Sequence, residues 1–239
     1  MSVRDVPTSG ASVQFVSQTA IYADQSRSKR PPRIDADVSP YLTSSTKRLL
    51  DFSLAAILIC ILLPVMLVVA AAVKWSSPGC IVFRQKRHGL RQTPFDIFKF
   101  RSMHAQCGAD PKVPQATLSD PRVTPLGRLL RKTSIDELPQ LINVLRGEMS
   151  LVGPRPHALV HDEKYLRELP AYASRFFAVP GITGLAQING ARGETPTLAH
   201  MQRRLQYDLE YIRTASLMLD LRILARTTIV VTLRHAHVY

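Results

Sequence analysis

The sequence is poor in the residues that build disulfide or metal frameworks. Its 239 residues hold three cysteines, Cys60, Cys80 and Cys107, at no metal-like spacing. Neither a disulfide frame nor a zinc site is expected from them, and Cys60, inside an apolar run, reads as a small buried hydrophobe. The seven histidines fall in no ligand pattern; His235 and His237 alternate near the C-terminus, as in a frayed tail. Acids are scarce as well: 18 Asp and Glu face 31 Lys and Arg, a formal net charge of +13. That excess calls for an anionic partner, whether nucleic acid, lipid head groups or a phosphorylated substrate. No nucleic-acid motif is found and much of the charge flanks an apolar segment, so no nucleic-acid partner is expected. Residues 1–40 lack recurring large apolar side chains and predict a disordered tail. They also lack the apolar stretch of a signal peptide, and no internal repeat runs through the chain.

What is present begins with KRLLDFSLAAILICILLPVMLVVAAAVKW. From Phe52 to Val73 no side chain is charged, and about 22 residues at ~1.5 Å each can cross a hydrocarbon core. Pro64, near the middle, removes one backbone hydrogen bond and bends the helix. Both flanks are basic, with Lys47 and Arg48 before and Lys74, Arg84, Lys86 and Arg87 after. A spanning helix is usually asymmetric in charge. Symmetric flanks favour a helix that enters, breaks at Pro64 and returns to the same side, with a plain span as the alternative. Residues 41–75 are therefore read as a re-entrant membrane hairpin and 76–239 as a globular domain. The expected class is α/β, predominantly α, with short strands and interfacial amphipathic helices.

Within the globular part, PGCIVFRQKRHG and PFDIFKFRSM predict short strands closed by Pro and Gly. TPLGRLLRKT predicts a short basic helix, DELPQLINVLRG a second one closed by Gly147, and residues 197–214 a longer charged one. LVGPRP and VPGITGLAQING read as rigid turn-forming segments. The last apolar stretch carries Arg222, Arg226 and Arg234 among Leu, Ile and Val. It suits either an interfacial helix with snorkelling arginines or a core helix.

Three places carry candidate chemistry. Asp136 and Glu137 stand together where a helix should begin. Asp136 as N-cap places Pro139 harmlessly at the third helical position, so the bland reading is a cap. Yet Arg122, Arg128, Arg131 and Lys132 precede the acids, and Arg146 and Arg155 follow. A carboxylate among cations stays ionised, as a nucleophile or metal ligand must. Gly153–Pro156 (GPRP) presents Arg155 on a stiff backbone, suited to bidentate phosphate binding; alone it reads as a surface turn. In FKFRSM, strand alternation puts Lys99 and Arg101 on one face and Phe98 and Phe100 on the other. The cationic face could meet phosphates or simply be solvated.

Taken in order, KRLLDFSLAAILICILLPVML, FRQKRHG, FKFRSM, DPRVTPLGRLLRKTSIDELPQLINVLRGEMSLVGPRP and PGITGLAQING closely resemble the bacterial sugar transferase family, the monotopic phosphoglycosyl transferases that initiate exopolysaccharide assembly. The resemblance covers about residues 47–233. It implies transfer of a hexose-1-phosphate from a UDP-sugar, galactose or glucose, to polyprenyl phosphate, releasing UMP. It further implies a covalent phosphosugar intermediate on Asp136, assistance from Glu137, and phosphate contacts from Arg131 and Arg155, with Lys99 and Arg101 as further candidates. Mg2+ is the implied cofactor, with Asp136 as its ligand, and Pro64 the membrane break. The implied setting is the bacterial inner membrane, active site on the cytoplasmic face, with membrane lipids and downstream glycosyltransferases as partners and a homodimer left open. The family often has Ser-Pro at the break, where this chain has Leu63-Pro64. Competing readings are another membrane-surface enzyme, a lipid-phosphate phosphatase or nucleotidyltransferase, and a non-enzymatic adaptor of a polysaccharide assembly complex.

Overall fold

The computed structural model describes residues 38–104, 120–193 and 195–233, the last four by backbone alone. Most of the expected tail lies outside them, as do Cys107, Arg234, His235 and His237. The described part of the tail is anchored: the Ser39 N–H donates to Ile212 O at 2.9 Å and its hydroxyl to Ala215 O at 2.6 Å.

The apolar run forms one α-helix, α1 (Ser45–Ser76), capped by the Ser44 hydroxyl. It continues through Pro64. The expected break between two helices is absent, because a single missing hydrogen bond leaves the rest of the ladder to hold the helix. Lys47, Asp51, Ala55, Leu58, Leu62, Met66, Ala70 and Val73 recur every three or four residues and face the globular part. That spacing is one face of a helix over its whole length. Phe52, Ile57, Ile61, Leu63, Leu67 and Val68 lie exposed elsewhere on it. Cys60 is exposed there too, not buried. Pro64 falls between Leu62 and Met66, away from the packed stripe. Its ring pushes off the preceding turn on that outer side, so a bend there curves both ends toward the domain.

Both ends are pinned to the same globular body. The Lys47 ammonium, buried, lies 2.6 Å from Asp220 Oδ2 and 3.3 Å from Asp51 Oδ1, and donates to Val152 O at 3.2 Å. Arg48 donates to the carbonyls of Val144 (2.6 Å) and Leu145 (2.7 Å). These cations, read from sequence as the basic flank of a membrane segment, are turned onto protein oxygens. At the other end Arg101 donates to Val73 O (3.0 Å), Ser77 O (2.6 Å) and Pro78 O (2.5 Å). It caps carbonyls that a helix C-terminus leaves unpaired.

The two predicted strands are β1 (Val82–His88) and β2 (Pro94–Phe100), an antiparallel hairpin in register from Val82–Phe100 to His88–Pro94. Cys80, just before it, is disulfide-bonded, a bond that three cysteines at unrelated spacing did not announce. Then come α2 (Pro125–Thr133) and α3 (Gln140–Arg146), the latter ended by Gly147 at φ 81°. Strands β3 (Ser150–Val152) and β4 (Gly181–Thr183) form a short parallel pair. Helix α4 (Leu159–Glu168) and a 3₁₀ stretch at Tyr172–Phe177 lie between them in sequence. Helices α5 (Leu185–Ile188), α6 (Leu198–Thr214) and α7 (Leu217–Leu233) complete the described residues. The main core joins α1, β2, α3, β3, α6 and α7 through Ala55, Ile97, Val144, Val152, Tyr211 and Ile223. On α7, Leu217, Met218, Leu221 and Ile229 stay exposed together with Arg222 and Arg226, so its outer face mixes large apolar side chains with two arginines, unlike the outer face of α1, uncharged from Phe52 to Val73.

Candidate active site

The acids do not cap a helix. Helix α2 ends at Ser134, whose backbone turns left-handed at φ 60°, and Ile135–Glu137 forms a 3₁₀ turn. Pro139 stands at the start of α3 with no side-chain cap. Ile135 and Leu138 pack into the cluster of Val73, Phe100 and Leu130. With those two side chains fixed, Asp136 and Glu137 are carried into the interior, 6% and 5% exposed.

The two neighbours meet opposite fates. Glu137 Oε1 lies 2.8 Å from Lys99 Nζ and 2.5 Å from Arg155 Nη2. Its Oε2 accepts from Arg155 Nη1 at 3.2 Å and has Arg192 Nη2 at 3.8 Å. Burial works against this charge, but Arg155, Lys99 and Arg192 outweigh it and hold the carboxyl well below the usual range. Among the described residues no donor bonds to the Asp136 carboxylate. Burial pushes that group up to about 6, with Glu137 adding to the rise against the pull of Lys99, Arg131 and Arg155. The site thus holds one acid locked by cations and one left without a partner beside them.

The other predicted residues separate. Lys99 reaches the acids from the end of β2. Arg131 sits beside Asp136 electrostatically and donates from Nε to Ser102 Oγ at 2.8 Å. Arg101, one step past the strand, is buried on carbonyls at and just beyond the end of α1 and not at the acids; the alternation expected for FKFR stops where β2 ends at Phe100. Arg146 lies over the Phe98 ring, 4.9 Å from its centroid. Arg122 pairs with Asp120.

Arg155 is delivered by a backbone crossing. The Gly153 N–H donates to Thr183 O and the Gly181 N–H to Pro154 O, each at 2.9 Å. A Cβ on Gly153 would overlap the Val179 carbonyl oxygen, and one on Gly181 the Gly153 nitrogen. The segments read as rigid turns are therefore two chains in direct contact, which fixes the stem of Arg155.

Sequence reasoning missed Arg192 and the network behind it. Arg192, two residues past the ING of the last motif, donates to Ser134 Oγ at 2.8 Å. Buried Arg175 pairs with Asp208 at 2.8 Å and donates to Arg155 O at 2.6 Å. Arg204 donates to Ala191 O at 2.8 Å and also to Gly193 O. These bonds hold the backbone on which Arg155 and Arg192 stand. His157 lies between the two arginines, with Nε2 3.0 Å from Arg204 Nη1 and Nδ1 3.0 Å from Arg175 Nη1 and 2.6 Å from the Tyr172 hydroxyl. Burial, Arg175 and Arg204 keep that imidazole neutral. These residues lie dozens of positions apart, so no local pattern announced them.

The donor set gives a narrow fit for Mg2+. Among the described residues no three metal-binding side chains cluster, and both Glu137 oxygens face cations. Asp136 is the acid left to hold an ion. Mg2+ commonly takes one or two carboxylates and completes its shell with substrate phosphates and water, so one free carboxylate suits an ion carried in by a diphosphate.

The sequence model for "Bacterial sugar transferase" matches residues 42–234. A UDP-glucose:undecaprenyl-phosphate glucose-1-phosphate transferase of Caulobacter vibrioides is 51% identical over 197 residues, 82% of this chain and 70% of that protein. A protein with the same activity in its name, from Escherichia coli, is 51% identical over 181 residues, 76% of this chain but 39% of its own length. An N-acetylgalactosaminephosphotransferase of Aeromonas hydrophila is 40% identical over 181 residues, 76% of this chain and 42% of that protein. The chain thus spans about two-fifths of the length of the latter two.

Proposed function

The chain belongs to the bacterial sugar transferase family, and from that premise we propose that it transfers glucose-1-phosphate from UDP-glucose to undecaprenyl phosphate and releases UMP. The observation that carries the reading is the pairing of an unbonded Asp136 with a Glu137 held by Lys99, Arg155 and Arg192. Glucose is preferred over galactose because the 51% relatives carry glucose in their names and the 40% relative carries N-acetylgalactosamine.

Asp136 is the nucleophile. One Oδ attacks the phosphorus next to the sugar; the bond to the bridging oxygen breaks and UMP leaves with that oxygen. A phosphate oxygen of the lipid then attacks the same phosphorus, and the bond to Asp136 breaks. Splitting the transfer lets each substrate use one site in turn. Lys99, Arg131 and Arg155 stabilise charge on the transferring group, where catalysis is chiefly positioning and electrostatics. Glu137 is no base, since its charge is fixed by three cations. It organises them, and a lipid phosphate that is largely dianionic at neutral pH needs no base. When bound, Mg2+ offsets the charge of the diphosphate.

The membrane reading follows from the two pinned ends of α1. Lys47 and Arg101 fix opposite ends of an apolar helix to one charged body. A crossing would carry one pinned end to the far side with protein attached. We therefore place α1 within one leaflet of the inner membrane, with the globular part on the cytoplasmic face and α7 at the interface. The test is incubation of the protein with Mg2+, UDP-glucose and undecaprenyl phosphate. Lipid-dependent UMP that disappears in Asp136→Asn is expected; UDP as the product would overturn the reading.

A further inference from the structure

A cavity of about 200 Å3 lies beside Glu137, between the two helices that expose large apolar side chains. Leu58 and Leu62 of α1 and Leu224 and Thr227 of α7 form its membrane-side walls; Glu137 and Arg192 stand at its polar end. The rest of its lining is mostly leucine and isoleucine. Sites that enclose drug-sized ligands run to about 300–1,000 Å3, so this chamber is too small for a nucleotide-sugar and too apolar for one. It fits the end of a hydrocarbon chain. Two of its lining residues, Gln187 and Arg192, each keep a buried atom with no hydrogen-bond partner, Oε1 and Nε. An orphaned guanidinium nitrogen is costly unless something anionic completes it.

We infer that this chamber seats the phosphate-proximal isoprene units of the lipid acceptor, with Arg192 as the contact for its phosphate. The inference rests on the transferase reading above and adds where the acceptor lies. Lys99 meets Glu137 Oε1, Arg155 bonds both carboxylate oxygens and Arg192 faces Oε2; of these three cations Arg192 alone lines the chamber. The chamber thus divides the cations. Lys99, Arg131 and Arg155 serve the donor, and Arg192 serves the acceptor arriving between α1 and α7. The isoprenes enter from hydrocarbon without crossing water, because both walls belong to helices that expose large apolar side chains. Burying them adds affinity that the head group alone lacks.

The experiment uses the full chain in liposomes with an undecaprenyl phosphate that carries a diazirine on its first isoprene unit. After illumination, labelled peptides are mapped. Label at residues 58–62 and 224–227 that excess unlabelled undecaprenyl phosphate removes is expected. Label elsewhere overturns the inference. So does a phospholipid bearing the diazirine in its acyl chain that labels the same residues and resists displacement by undecaprenyl phosphate, since the chamber would then hold bulk lipid. Filling the chamber gives a second readout. Leu62→Trp and Leu224→Trp should raise the acceptor KM about tenfold, the loss expected when about two methylenes are denied burial, with the UDP-glucose KM unchanged. An unchanged acceptor KM in both folded variants overturns it. A wild-type protein that releases no UMP from any UDP-sugar fails the transferase reading itself, whereas an active one labelled elsewhere fails only the chamber.

Discussion

Arg155 grips Glu137 with two nitrogens, Nη2 on Oε1 at 2.5 Å and Nη1 on Oε2 at 3.2 Å. The bidentate fork sets both planes, and it leaves the adjacent carboxylate to act alone. In this arrangement the more conspicuous ion pair is the scaffold, and the group proposed as nucleophile is the acid with no bond. Asparagine in place of each acid therefore has different consequences.

Asp136→Asn should lose about 10³-fold or more in kcat, as when a nucleophile is removed, and should gain stability. The folded carboxyl sits at about 6, above its ordinary 3.8. Its ionisation costs the folded state on the order of 1–3 kcal/mol at pH above that value, and nothing below the ordinary value. Thermal melts at pH 7.5 should show the variant more stable, with the gap closing as pH falls from about 6 toward 4. A variant that melts lower at pH 7.5 contradicts the burial argument.

The same group sets an acid limb. Attack requires the ionised form, so UMP release should fall as pH drops through about 6. In Glu137→Gln the limb should move to lower pH, because a neighbouring negative charge is removed and three cations are freed toward Asp136. That variant should also be destabilised by about 3–5 kcal/mol, the usual cost of stranding buried charge. A rate profile and a denaturant titration on the same preparation check both.

Gly153→Ala tests the crossing beneath Arg155. The methyl has no room against the Val179 carbonyl oxygen, so the β3–β4 pair must separate. A loss of about 1–3 kcal/mol should accompany a raised UDP-glucose KM. Unchanged kinetics would mean that Arg155 does not depend on the crossing.

Arg101→Lys separates the two roles considered for this residue. An ammonium cannot reach three carbonyls with the guanidinium's fixed fork. Stability should fall by about 2 kcal/mol, with the UDP-glucose KM preserved in the folded fraction. A specific rise in that KM would return Arg101 to the substrate.

Much of the secondary structure was legible because its signals are local. Thr197 before an amphipathic run and Gly147 after another mark α6 and α3 in a window of a few residues. The alternation in IVFRQKRH and FDIFKF marks the hairpin. The acids were visible as a pair among cations, but their division was not. It depends on Arg155 and Arg192, which lie 18 and 55 positions beyond Glu137 and arrive through unrelated turns. Arg101 misled for a related reason. Strand alternation locates a side chain only while the strand lasts, and β2 stops one residue short. The helical stripe of α1 was hidden by its own purity, because when every residue is apolar, sequence cannot say which face is covered.

That stripe has a mechanical consequence. A lone membrane helix answers a thinner or thicker bilayer by tilting. Helix α1 is joined to the globular body from Lys47 to Val73 and cannot tilt by itself. A change in lipid thickness must rotate the whole molecule or deform the leaflet around it. With α1 placed in one leaflet as proposed, the height of Asp136 above the hydrocarbon is set by acyl-chain length as well as by protein sequence, and turnover should vary with bilayer composition.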